Sequence, residues 1–178
     1  MEKALDTRVI VLTGDGKGKT TAALGMVLRA AGRGLRVCVV QFIKQQGMET
    51  GEARALKMLP GVEHQVCGRG FVMVRDGTVF ETHAHAADAG LALAAERLRD
   101  TSCDMVVLDE VCGAVALGLL AARDVCGAVA SSSPGKIVVL TGRDACAELL
   151  DMADTVSRVV CVKHAYDKGV AAQVGVEL

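Results

Sequence analysis

Val9-Ile10-Val11-Leu12-Thr13 runs into Gly14-Asp15-Gly16-Lys17-Gly18-Lys19-Thr20-Thr21, and an alanine-rich helical pattern follows from Thr20 to Ala31. The apolar run has the character of a strand buried on both faces. Glycine at positions 14, 16 and 18 lets the backbone turn tightly, take positive φ and come close to a ligand. A helix starting there turns its unpaired N–H groups, and the positive end of its dipole, back at the loop. Lys17 and Lys19 add two full charges. The stretch is therefore a site for several phosphate oxygens in a row, as in a nucleoside triphosphate. The common phosphate-loop pattern is G-x-x-x-x-G-K-[ST]. Gly18-Lys19-Thr20 fits its end, but position 13, where the leading glycine belongs, is threonine.

Outward from the loop, apolar runs alternate with helical periodicity. Strands are expected at 9–12, 36–41, 62–66, 105–108, 136–140 and 155–162. Helices are expected over 20–31, 51–59, 83–100, 111–120, 122–130 and 145–152, and 67–80 reads as a long loop or hairpin. Gly32-Arg33-Gly34, Pro60-Gly61 and Ser131-Ser132-Ser133-Pro134-Gly135 supply the breaks. Alternating strands and helices give right-handed β-α-β units. The expected fold is α/β: a P-loop (RecA-like), mostly parallel six-stranded sheet with helices on both faces, in one domain over 1–178. Ligands in such sheets sit at the carboxyl ends of the strands. That rule gathers loops 13–20, 41–51, 67–75, 109–113, 141–144 and 163–169 on one edge.

Hydrophobic residues make up 51% of the 178-residue chain and the net charge is −1, which excludes a disordered chain. No basic block points to nucleic acid. No apolar stretch reaches the roughly 20 residues that span a bilayer. Met1 to Thr7 lacks the apolar region of a secretory signal, so a cytoplasmic location is expected. None of the seven cysteines forms a C-x-x-C pair. In a reducing compartment Cys38, Cys103 and Cys161, in or beside apolar runs, read as small buried hydrophobes.

Four further places carry chemistry. Met105-Val106-Val107-Leu108 ends in Asp109-Glu110. Carboxylates at the end of a buried strand beside a phosphate loop suit Mg2+, with Thr20 as the loop's hydroxyl ligand; the alternative is a helix cap and a solvated acid. In Thr141-Gly142-Arg143 the arginine forks onto phosphate or ribose oxygens, or is a surface residue opening a helix. Lys163 to Gly169 faces substrate or is simply solvated. Phe71, between Gly70 and Val72, covers a ligand or packs back on the core. His83 and His85 do not share a helix face and make no metal pair. His64 alternates with apolar neighbours and reads as structural.

Taken together and in order, GDGKGKTTAA (14–23), VVQFIK (39–44), Gly70-Phe71, DMVVLDE (104–110), TGR (141–143), ADTVS (153–157) and VKHAYDKGV (162–170) resemble the ATP:corrinoid adenosyltransferase family of the CobA/CobO/BtuR type. The resemblance covers Val9 to about Val176, and the off-pattern loop is characteristic of that family. It implies that Co(I) of cobalamin or a cobinamide-type corrinoid attacks C5′ of ATP, and that triphosphate leaves. It implies ATP lying reversed relative to ordinary P-loop NTPases, so that the loop need not cradle the usual phosphates.

The implied residues follow position by position. Gly14, Asp15, Gly16, Lys17, Gly18, Lys19, Thr20 and Thr21 hold ATP, with Arg143, and with Arg29 serving across a homodimer interface. Mg2+ is implied at Thr20, Asp109 and Glu110. Lys19, Phe71 and Glu110 are the implied catalytic positions, Phe71 by displacing the lower corrin ligand. An electron-donating reductase is the further implied partner. Two features depart from the family: Met73 stands where a second aromatic is common, and about eight residues precede the first strand where many members carry a long arm. Both touch the corrinoid side. The competing functions are a conventional P-loop ATPase or kinase, and a carrier that binds ATP and corrinoid without turnover.

Overall fold

The computed structural model describes residues 6–44, 47, 50–70, 72 and 76–176. Six strands, β1 (Arg8–Thr13), β2 (Val37–Gln41), β3 (Val62–Val66), β4 (Met105–Asp109), β5 (Ile137–Thr141) and β6 (Thr155–Arg158), form one sheet in the order β3-β2-β4-β5-β1-β6. Every pairing is parallel. The intervening helices are α1 (Lys19–Ala31), α2 (Gly51–Lys57), α3 (Gly77–Arg99), α4 (Val111–Ala116), α5 (Ala122–Ala130) and α6 (Ala147–Asp151).

The period-2 alternation of each central strand feeds two cores. Val9, Val11, Val106, Leu108, Val138 and Leu140 face α3, α4, α5 and α6. Leu12, Val39, Met105, Val107 and Val139 face α1 and α2, where Ala23, Val27, Ala30 and Leu56 meet them. Val, Leu and Met crowd both sides because a central parallel strand is covered on both faces. Each such side chain taken fully out of water contributes about 1.5–3 kcal/mol.

Three elements differ from the sequence expectation by more than two residues at one end. Helix α3 begins at Gly77, not 83. Phe80 and Ala84 extend the stripe of Ala87, Leu91, Ala94 and Leu98, each three or four residues from the next, and pack on the same core. Helix α4 ends at Ala116 rather than at 120, and Gly118 at φ 79° lets the chain turn back so that Leu119 N–H reaches the Ala114 carbonyl. Strand β6 ends at Arg158 rather than at 162, because its partner β1 ends at Thr13. Cys38 and Cys103 are buried as expected, but Cys161, beyond that strand end, is exposed. Among the described residues no helix is long and apolar enough to cross a membrane.

Candidate functional site

The loop after β1 is fastened to the chain that follows β6. Val159 N–H donates to the Thr13 carbonyl at 2.8 Å, and Gly16 N–H donates to the Val159 carbonyl at 2.9 Å. A Cβ on Gly14 would lie 2.4 Å from the Val159 oxygen, and one on Gly16 would lie 2.7 Å from that of Val160. Two of the loop's glycines are thus demanded by this close approach. Thr13, at the position of the missing glycine, is the buried last residue of β1, and its hydroxyl accepts from Ala145 N–H at 3.3 Å. The first helical bond of α1 runs from Ala22 N–H to the Gly18 carbonyl. The amides of Lys19, Thr20 and Thr21 therefore have no partner within the helix. Lys19 is 7% exposed and its ammonium donates to the Gly16 carbonyl at 2.9 Å.

The sheet order sets four strand ends side by side: Gln41 of β2, Asp109 of β4, Thr141 of β5 and Thr13 of β1. The Asp109 carboxylate is 1% exposed. It accepts from the Thr20 hydroxyl at 2.8 Å, the Thr141 hydroxyl at 2.6 Å and the Gln41 side-chain amide at 2.9 Å. His64 of β3 bonds Gln41 Oε1 at 2.8 Å. A buried carboxyl is tolerated only with such partners. Burial, and next the charge of Lys44, lowers the pKa of His64.

Glu110 takes left-handed backbone, φ 64°, at the start of α4, and its N–H donates to the Thr141 hydroxyl at 2.9 Å. A non-glycine residue there is strained, a condition that gathers at functional sites. Burial, and then the neighbouring Asp109 charge, raises the Glu110 pKa. Gly142, at φ 137°, crosses the first turn of α4 so closely that a Cβ would meet Gly113 N at 2.6 Å. That crossing carries Arg143 to the cavity.

A cavity of about 520 Å3 lies over these strand ends. Residues 15–21 form one wall, Glu110 and Arg143 another, Lys44 and Glu52 a third, and His164, Gly175 and Val176 the roof. Lys17 Nζ donates to the Val176 carbonyl at 2.7 Å, tying roof to loop. Lys44 pairs with Glu52. Burial opposes the Glu52 charge, but the bonds from Lys44 and a backbone amide outweigh it and hold its carboxyl below the ordinary range. The site offers cationic Lys17, Lys19, Lys44 and Arg143 to an anion, with Asp109 buried and Glu52 and Glu110 half-buried beside them.

The structure brings together Asp15, Gly16, Lys17, Gly18, Lys19, Thr20, Thr21, Glu110 and Arg143 around this space. Gly14 shapes the loop without lining the cavity. Asp109 lies beneath it, turned to Thr20. Arg29 is exposed in the last turn of α1 and does not line the cavity. Phe71 and Met73 lie outside the described residues. The 163–169 loop contributes His164. Among the described residues no cluster of three or more His, Cys, Asp or Glu side chains suits a metal. Gln41, Lys44 and Thr141 lie inside motifs quoted from the sequence but carry no role there, and Glu52 lies outside those motifs. Gln41 carried a usable signal: a polar residue closing an apolar strand, as Asp109 does.

Residues 6–178 match the family model for ATP:corrinoid adenosyltransferase BtuR/CobO/CobP. The chain is 42% identical to the corrinoid adenosyltransferase CobA of Salmonella typhimurium over 174 residues, covering 95% of this chain and 84% of that protein. It is 43% identical to the Escherichia coli K12 corrinoid adenosyltransferase over 169 residues, with the same coverage. Against the Pseudomonas aeruginosa enzyme of that name, identity is 38% over 178 residues, covering 98% and 86%. Together with a loop, a buried aspartate and an arginine converging on one cationic cavity, these matches place the chain in the ATP:corrinoid adenosyltransferase family.

Proposed function

We propose that this protein transfers the 5′-deoxyadenosyl group of ATP to Co(I) of cobalamin or a precursor corrinoid, releasing triphosphate. The observation that carries the reading is the cavity itself. The unpaired amides of Lys19, Thr20 and Thr21, two loop lysines, Lys44 and Arg143 meet on one space sized for a small anionic ligand. In this chemistry the cobalt electron pair attacks C5′, a Co–C bond forms, and the C5′–O bond breaks with its electrons going to triphosphate. The corrinoid is the nucleophile, so the protein needs no nucleophile or general base. Its work is to hold ATP, aim C5′ and stabilise the charge growing on the leaving group.

Lys17, Lys19 and the loop amides bear the triphosphate, and Arg143 joins them from beside Glu110 in the cavity lining. The residues fit Mg2+, which takes few protein ligands and keeps water and phosphate oxygens for the rest. The Thr20 proton is committed to Asp109, which leaves the hydroxyl lone pairs for a metal. Glu110, a half-buried acid with a raised pKa, gains from a cation beside it. Bound there, Mg2+ would neutralise charge on the departing triphosphate. We assign Phe71 to the corrinoid side.

An electron-donating reductase, cytoplasmic location and a single domain complete the reading. So does a homodimer in which Arg29, remote from its own cavity, reaches the partner's nucleotide. Incubation with MgATP and chemically reduced cobalamin should give a light-sensitive alkylcobalamin. ATP hydrolysis that proceeds without any corrinoid, with no alkylcobalamin formed, would establish an ordinary P-loop ATPase instead.

A further inference from the structure

We propose that Gln41 and His64 are positioning residues for the metal side of the nucleotide site, through a hydrogen-bond relay from β3 across β2 that meets the Thr20 hydroxyl on Asp109. The relay rests on the reading of this cavity as a MgATP site, and it touches neither nucleotide nor corrinoid itself. Its links are His64 Nε2 to Gln41 Oε1 at 2.8 Å, Gln41 Nε2 to Asp109 Oδ2 at 2.9 Å, and Thr20 Oγ1 to Asp109 Oδ1 at 2.8 Å.

Chemistry fixes the direction. An ionised carboxylate only accepts, so Gln41 must present its NH2 to Asp109. Its carbonyl oxygen then faces His64 and only accepts, so the imidazole carries its proton on Nε2. A flipped amide would set Oε1 against the Asp109 oxygen and the NH2 against the His64 N–H. Asp109 sets which end of the amide it sees, and the His64 N–H on Oε1 reinforces that orientation.

The arrangement matters because Asp109 is held unevenly. Thr20 and Thr141 both bond Oδ1. Among the described residues, Gln41 alone bonds Oδ2. Two bonds to one oxygen leave the carboxylate free to swing about it, and the third stops that rotation. A fixed carboxylate fixes the Thr20 proton, and with it the direction of the hydroxyl lone pairs. Gln41 is 1% exposed, and no solvent competes for its amide. Outer groups that orient metal ligands in this manner change metal affinity about 10- to 100-fold when removed.

The test uses the full chain with Gln41→Met, which keeps volume and removes both hydrogen bonds, and His64→Phe on the half-buried edge strand. Calorimetric ATP titrations at stepped Mg2+ concentrations and in EDTA separate the metal-dependent part of binding. Gln41→Met should raise the Mg2+ midpoint about 10-fold and leave ATP affinity in EDTA within about 2-fold. His64→Phe should raise the midpoint about 3-fold. In a Thr20→Val background Gln41→Met should add nothing, since both act at one point.

An unchanged Mg2+ midpoint in Gln41→Met overturns the proposal. So does an equal loss with and without Mg2+, and so does an additive effect over Thr20→Val. If Gln41→Met fails to fold, the midpoint of His64→Phe decides by the same criterion. Wild-type protein that binds MgATP but makes no alkylcobalamin would refute the proposed function alone. Wild-type protein that binds no MgATP would refute both.

Discussion

The floor and the roof of the cavity are built on opposite terms. The floor is Gln41, Asp109, Thr141 and Thr13, each 3% exposed or less, set at the ends of four adjacent strands. Gln41 and Thr141 are bonded to Asp109, the Thr13 hydroxyl accepts from Ala145 N–H, and the sheet register fixes their spacing. The roof comes from the chain beyond β6, where Val162 is 93% exposed and Tyr166 and Val174 are each 80% exposed. It reaches the loop through Val159 and through the bond from Lys17 to the Val176 carbonyl. A buried, fully bonded floor keeps its geometry without ligand. A roof with few buried contacts belongs to the low-stability end of the molecule, the part that a ligand can order.

The largest effect is expected at the loop between them. Lys19→Ala removes a charge aimed at the leaving group, and adenosyl transfer should fall about 100- to 1,000-fold with any reduced corrinoid. Asp109→Ala breaks the floor. Three donors lose their acceptor, so urea denaturation should show a loss of about 3 kcal/mol. Glu110→Gly relieves a left-handed residue and removes a half-buried acid. Unfolding should then show a gain of about 1 kcal/mol, while adenosyl transfer declines. Lys17→Met removes a phosphate-facing charge together with the tie to the roof. It should weaken ATP about 5-fold, or about 1 kcal/mol, and leave stability within about 0.5 kcal/mol. Hydrogen exchange sharpens the contrast: amides of β1, β4 and β5 should exchange slowest, and MgATP should protect 164–176 more than the floor. Equal protection of both would remove the distinction.

What could be read from sequence follows the same division. The loop, the strand that ends in Asp109 and the Thr141-Gly142-Arg143 turn each declare themselves within a few consecutive residues, and the structure sets them together. The extra turns of α3 were present in the spacing of Phe80 and Ala84, but Gly77 and the preceding glycines masked the start. The Gln41–His64 link needs the pairing of β2 with β3, which opposes Val39 to His64 and Gln41 to Val66. No local pattern contains a register. The return of Val159 and Val160 beneath the phosphate loop is equally non-local. It shows that Gly14 and Gly16 answer to a neighbouring backbone as well as to any phosphate.

The central claim is that this loop grips a departing triphosphate while attack falls on carbon. Phosphorus-31 NMR of the spent nucleotide, after reaction with MgATP and pre-reduced cobalamin, tests it directly. The account predicts inorganic triphosphate in step with alkylcobalamin, with no ADP. ADP and phosphate as the products would place the attack at phosphorus and contradict it.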